Sequence, residues 1–169
     1  YPWALKSDIP KSGSKPKGIT TSDIFVVHGH DEEMKQAAAR VVSKLKLNPV
    51  ILHERANEGR TLIEKFEKNS DVQFAIILLS PDDLAYSAKG DPTTACPRAR
   101  QNVVLELGYF VGRLGRSKVF ALKRDCDLEL PSDISGIVYT SYDVGGKWQF
   151  ELARELKAAG YTIDANAIL

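Results

Sequence analysis

Six consecutive apolar residues, Phe74-Ala-Ile-Ile-Leu-Leu79, constrain the fold more than any other stretch of the chain. A half-exposed strand alternates apolar and polar side chains, and this run does not alternate. It reads as a strand buried on both faces, the signature of the middle of a parallel sheet. Such a sheet needs helices on both sides, and the flanking sequence supplies them.

Ile24-Phe-Val-Val27 is a second short apolar run. It breaks at His28-Gly-His-Asp31, and a helix follows. Asp31, Glu32 and Glu33 occupy its first turn, complementing the helix dipole. Met34, Ala37, Ala38, Val41, Val42 and Leu45 form its apolar stripe, and Lys44 and Lys46 close it. Pro49-Val-Ile-Leu52 predicts a strand, and a polar loop runs from His53 to Arg60. Thr61-Leu-Ile-Glu64 has capping-box spacing and predicts a helix packed through Leu62, Ile63 and Phe66.

Ser80-Pro-Asp-Asp83 ends the central run, and a loop from about Tyr86 to Pro97 leads into the next helix. Val119-Phe-Ala-Leu122 and Ile137-Val-Tyr-Thr140 predict two more strands. Trp148 to Leu156 predicts the last helix, packed through Phe150, Leu152, Ala153 and Leu156. Strands alternating with helices predict an α/β, flavodoxin-like three-layer sandwich. Its five-stranded parallel sheet has the order 2-1-3-4-5.

In such a sheet ligands bind beyond the carboxyl ends of the strands. His28, Gly29, His30 and Asp31 follow the first strand, Arg55 and Arg60 the second, and Asp82 the third. Arg100 and Asn102 open the helix that rises from the same rim, Arg98 to Gly115. Val103, Val104, Leu107, Phe110, Val111 and Leu114 form that helix's apolar face. Glu106 falls at the edge of the stripe, expected half in and half out of the packed interface. Gly108, Gly112 and Gly115 share a third face. Each glycine costs about 1 kcal/mol against alanine in a helix, so a close neighbour is expected there.

Composition narrows the chemistry. The 169 residues suit one domain, residues 23–169, behind a polar stretch at 1–22 that reads as a linker. That stretch is either a tag remnant or disordered terminus, or a tether to an upstream domain. A net charge of +1 gives no bulk attraction to nucleic acid or membrane. No apolar run approaches the roughly 18 residues a membrane helix needs. Two cysteines and no signal peptide make a reducing cytoplasm the expected compartment.

His28, His30, Asp31 and His53 lack the spacing of a metal site and are expected to hydrogen-bond a polar ligand instead. No glycine-rich dinucleotide fingerprint, P-loop or hydrolase elbow is present. A phosphorylated receiver is unsupported, because Ser141-Tyr142 stands where its lysine should be. A lone carboxylate in a crevice suits cleavage of a glycosidic bond with a good leaving group. A cationic nicotinamide needs no proton to leave, so one glutamate can stabilise the ribosyl cation and hold its hydroxyls.

Three segments carry a family resemblance: Phe25-Val-Val-His-Gly-His-Asp31, Ser80-Pro-Asp82, and Arg98-Ala-Arg-Gln-Asn-Val-Val-Leu-Glu-Leu-Gly-Tyr-Phe110. They resemble the bacterial TIR-like domains of cyclic-nucleotide-activated CBASS and Pycsar antiphage effectors, over about residues 23 to 165. The resemblance implies an NAD⁺ glycohydrolase, with NAD⁺ as substrate and no further cofactor or metal. The product is nicotinamide with ADP-ribose or a cyclic form. The resemblance also implies that Glu106 is catalytic, that His28 to Asp31 line the pocket, and that the His53 to Arg60 loop gates it. It implies activity on self-association into filaments or other oligomers, driven by an upstream sensor of a cyclic nucleotide.

The tryptophan many TIR domains carry before the catalytic residue is absent here, leaving Tyr86 and Phe110 as aromatic candidates to stack on nicotinamide. Two other readings of the same residues are a non-enzymatic TIR-like assembly module and a nucleoside deoxyribosyltransferase-like enzyme.

Overall fold

A computed structural model describes residues 19–51, 72–131 and 137–168. Five parallel strands make the central sheet: β1 (Asp23–Val27), β2 (Asn48–Ile51), β3 (Ala75–Leu79), β6 (Val119–Arg124) and β7 (Tyr139–Tyr142). Their order is β2-β1-β3-β6-β7. Among the strands of this sheet alone that is the expected 2-1-3-4-5 order. The two remaining strands, β4 (Asp83–Ala85) and β5 (Cys96–Arg98), form a small antiparallel ribbon. The described α-helices are α1 (Glu32–Lys44), α2 (Gln101–Leu114) and α3 (Lys147–Ala158).

The three layers follow from the two-residue period of the strands. Ile24, Val26, Ile76, Leu78, Phe120 and Leu122 point to one face, where Met34, Ala38, Val41 and Val42 of α1 meet them with Trp148, Leu152 and Leu156 of α3. Phe25, Val27, Ala75, Ile77, Leu79 and Ala121 point to the other, onto Val103, Leu107 and Phe110 of α2. All five residues of β3 are buried, as its apolar run requires of a middle strand. Pairing is in register from Phe25↔Ala75 to Val27↔Ile77 and from Ala75↔Val119 to Leu79↔Lys123. The carboxyl ends of β1, β3 and β6 therefore share one rim.

Several expectations need correction. The stretch read as a loop from about Tyr86 to Pro97 ends within β5, which pairs back on β4. The last strand lies two residues later than expected, so Ser141 and Tyr142 are strand residues. Phe150 is 47% exposed on the outer side of α3, and Trp148 takes its place in the core. Helix α2 begins at Gln101, so Arg98 belongs to β5 and Arg100 is the N-cap. Glu106 is not half exposed: it is 1% exposed.

The α2 glycines lack the expected neighbour, since a Cβ at Gly108, Gly112 or Gly115 would meet nothing within 4 Å. Gly115 has a separate reason, φ +81° at the turn that ends the helix. Of the stretch read as a linker, residues 19–22 are described. Ile19 packs against the core, and Thr20 N donates to Gln73 Oε1 at 2.9 Å. The helix expected from Thr61, with Arg55 and Arg60, lies outside the described residues. No described helix is long and apolar enough to cross a membrane.

Candidate active site

The rim holds a cleft of about 360 Å³ between the β1–α1 loop and the start of α2. His28, Gly29, His30 and Glu32 line one side, and Arg100, Asn102 and Val103 line the other. Five of the ten candidate residues thus share one concavity: His28, Gly29, His30, Arg100 and Asn102. Arg100 donates from Nη1 to His30 Nε2 across it. His28 Nδ1 donates to Gly29 O at 2.7 Å, which sets that ring's tautomer. Glu32, first read only as a dipole partner, forms an ion pair with Lys35 at 2.7 Å.

Glu106 lies one helical turn beyond Asn102 and Val103, at i+4 and i+3, on the same side of α2. Neither of its carboxylate oxygens has a hydrogen-bond partner among the described residues. Burial alone pushes its pKa up from 4.5 to about 7. The physics is one-sided. An acid in apolar surroundings without donors resists ionisation, and it gains strongly from a positive charge placed beside it. That combination is uncommon for a structural glutamate and frequent at functional sites.

Two candidates hold the loop in place. Asp31 caps α1, its Oδ1 accepting from Met34 N at 3.0 Å. Its Oδ2 accepts from Arg124 Nε at 2.8 Å and pairs with Arg124 Nη2 at 2.6 Å. Arg124 also reaches Glu33 at 2.9 Å and stacks 4.9 Å over the Tyr142 ring. Tyr142 Oη donates to Glu33 Oε1 at 3.2 Å. The sequence reading gave Arg124 no role. Its signal is the last position of β6, beside the acid-rich start of α1. Asp82 is tied to the other flank of the loop, accepting from His30 N at 3.1 Å and Ser80 Oγ at 2.8 Å.

Of the two aromatic candidates, Phe110 is core, 5.2 Å from the Phe25 ring, and Tyr86 is 51% exposed. Among the described residues no group of three or more His, Cys, Asp or Glu is placed to hold a metal. A second, more apolar cleft of about 240 Å³ lies on the far side of the α2 start, between Arg98, Ala99, Gln101 and Val104 and the Glu129–Pro131 segment.

The five-stranded parallel sheet, in this order and with helices on both faces, is consistent with a flavodoxin-like TIR fold. The chain belongs to the family described as the TIR domain of CAP12/Pycsar effector proteins, whose model matches residues 23–144. It is 48% identical over 147 residues to the Escherichia coli protein YuaY, described as uncharacterized, covering 86% of this chain and 48% of YuaY. It is 34% identical over 146 residues to protein tirC of Dictyostelium discoideum, covering 82% of this chain and 71% of tirC. The Pycsar effector protein XpPycTIR of Xanthomonas perforans is 39% identical over 83 residues, which are 48% of this chain and 26% of that effector. The chain thus spans about half the length of YuaY and about a quarter of XpPycTIR.

Proposed function

We propose that this domain is the NAD⁺-cleaving part of an antiphage effector, with Glu106 as its catalytic carboxylate. The observation that carries the reading is the buried, unpartnered Glu106 one turn from the cleft. Family membership supports the effector role.

In the proposed reaction the bond between ribose C1′ and the nicotinamide nitrogen breaks. Nicotinamide leaves with the electron pair, which neutralises its ring. The positive charge passes to C1′ and the ring oxygen, beside the Glu106 carboxylate. Water then adds to C1′ and releases a proton, giving ADP-ribose; attack by a ring nitrogen of the adenine instead gives a cyclic product. Arg100, His30, Asn102 and the Gly29 backbone supply polar contacts for the rest of the dinucleotide. Arg55 and Arg60 belong to the proposed gating loop. Self-association, driven by an upstream sensor of a cyclic nucleotide, switches the domain on, and the reaction proceeds in the cytoplasm.

The test is nicotinamide release from NAD⁺ by the full-length protein in its assembled form. Wild type turns NAD⁺ over, and Glu106→Gln, equally folded and equally assembled, does not. Equal turnover by the two proteins overturns the assignment.

A further inference from the structure

Asp82 sits behind the wall of the cleft rather than in it. Its Oδ1 accepts two hydrogen bonds, from the His30 backbone N–H at 3.1 Å and from the buried Ser80 hydroxyl at 2.8 Å. Its backbone N–H donates to Ser80 O at 2.8 Å, closing a tight turn at the end of β3. Its Oδ2 is buried and occupies the space where any other residue at position 29 would carry a side chain. A Cβ built on Gly29 would lie 1.6 Å from it. The two positions therefore interlock: the loop after β1 must be glycine there so that the acid after β3 can seat against it. β1 and β3 are paired neighbours, so this contact joins two adjacent strand ends across the rim.

We propose that Asp82 is a positioning residue, which touches no substrate and holds the His28–His30 loop as one wall of the cleft through its interlock with Gly29. The proposal rests on the reading of that cleft as the NAD⁺ site. The hydrogen bonds need an acceptor of this length at position 82, and its negative charge is not required. An asparagine oxygen keeps both bonds, and an alanine keeps neither.

The test uses the full-length protein in its assembled form, carrying Glu106→Gln so that bound NAD⁺ is not consumed, with NAD⁺ affinity read by titration calorimetry. Asp82→Ala and Gly29→Ala each weaken binding about tenfold, since a misplaced wall misaligns the contacts. The double variant is weaker than the worse single by no more than about twofold, because the two changes break one contact. Asp82→Asn stays within about twofold of its parent. Losses that multiply in the double variant overturn the proposal, as does an Asp82→Asn as weak as Asp82→Ala. Should Asp82→Ala not fold, Gly29→Ala with and without the shorter Asp82→Ser carries the same cycle.

Amide hydrogen exchange at His30, without ligand, separates this inference from the functional reading. Asp82→Ala speeds that exchange about fivefold, and Asp82→Asn leaves it unchanged. Absence of NAD⁺ binding by the parent removes the functional reading and leaves the exchange to decide the loop-holding role. Unchanged His30 exchange in Asp82→Ala overturns that role too.

Discussion

Helices α1 and α2 both start at the rim of the sheet, and they start in opposite ways. Helix α1 is complete in itself. Asp31 caps it, Glu32 and Glu33 fill its first turn, Lys44 closes it, and Arg124 pins its cap to β6. Helix α2 has no side-chain cap and no acid in its first turn. Two turns in, it buries a carboxylate with no hydrogen bond among the described residues. Its outer face carries Gly108 and Gly112 with open space around them, beside the exposed Leu105. Each of these choices lowers stability where a simple substitution would raise it. The contrast teaches that α1 is built to hold a loop still, while α2 is built to present groups that the folded domain does not itself satisfy.

The largest test of that contrast is at Glu106. Removing a carboxylate that stabilises a cation-like transition state costs on the order of 10²–10³ in kcat or more. Glu106→Gln in the assembled protein is expected to lose nicotinamide release by at least that factor. The proposed reaction uses the ionised carboxylate, so kcat/KM should climb with pH and level off above about 7, the raised pKa of the free site. A profile flat from pH 5.5 to 8.5 would break the link between burial and activity.

The same residue sets a stability effect of the opposite sign. Its folded pKa of about 7 lies above the ordinary 4.5. The protonated form therefore fits the fold, and stability is lost as pH rises from 4.5 through 7. Glu106→Gln does not titrate. It should match wild type near pH 4.5 and exceed it by about 3 kcal/mol at pH 8 in urea unfolding. A variant that improves activity-free stability at one end of α2 has no counterpart on α1. There, Arg124→Ala should cost about 1–2 kcal/mol by leaving Asp31 half-buried without its cation. Arg124→Ala made in an Asp31→Ala background should cost clearly less.

The smallest effect is on the outer face of α2. Gly108→Ala and Gly112→Ala should each stabilise the domain by up to about 1 kcal/mol in denaturant titrations, because the added methyl meets nothing. Destabilisation at either position would show that α2 is not the under-stabilised helix described.

Much of this could be read in the sequence, for identifiable reasons. The run ending at Leu79 and the stripes of α1 and α2 depend only on period and apolarity, so sheet order and layers followed from them. Asp31 was legible as part of the acidic start of α1, and its cap is a local bond, three residues long. Its pairing with Arg124, 93 residues away, was not, because nothing in either segment encodes the other. β5 hid in a Pro-, Gly- and Asp-rich segment, where three residues carry no periodicity to detect. Glu106 was placed at the stripe's edge by helical angle. Angle alone does not say how far β3 and β6 bury that edge, and the depth is what perturbs the acid. The acid behind Gly29 was similarly unreadable, since the glycine's partner is a side chain 53 positions on.

The claim beneath the comparison is that α2 holds its carboxylate buried and unpaired. Carbon-13 NMR titration of the Glu106 carboxyl in the free protein tests it most directly. A midpoint near 7 is the predicted result. A midpoint at or below 4.5, the value of an exposed or ion-paired glutamate, would contradict it.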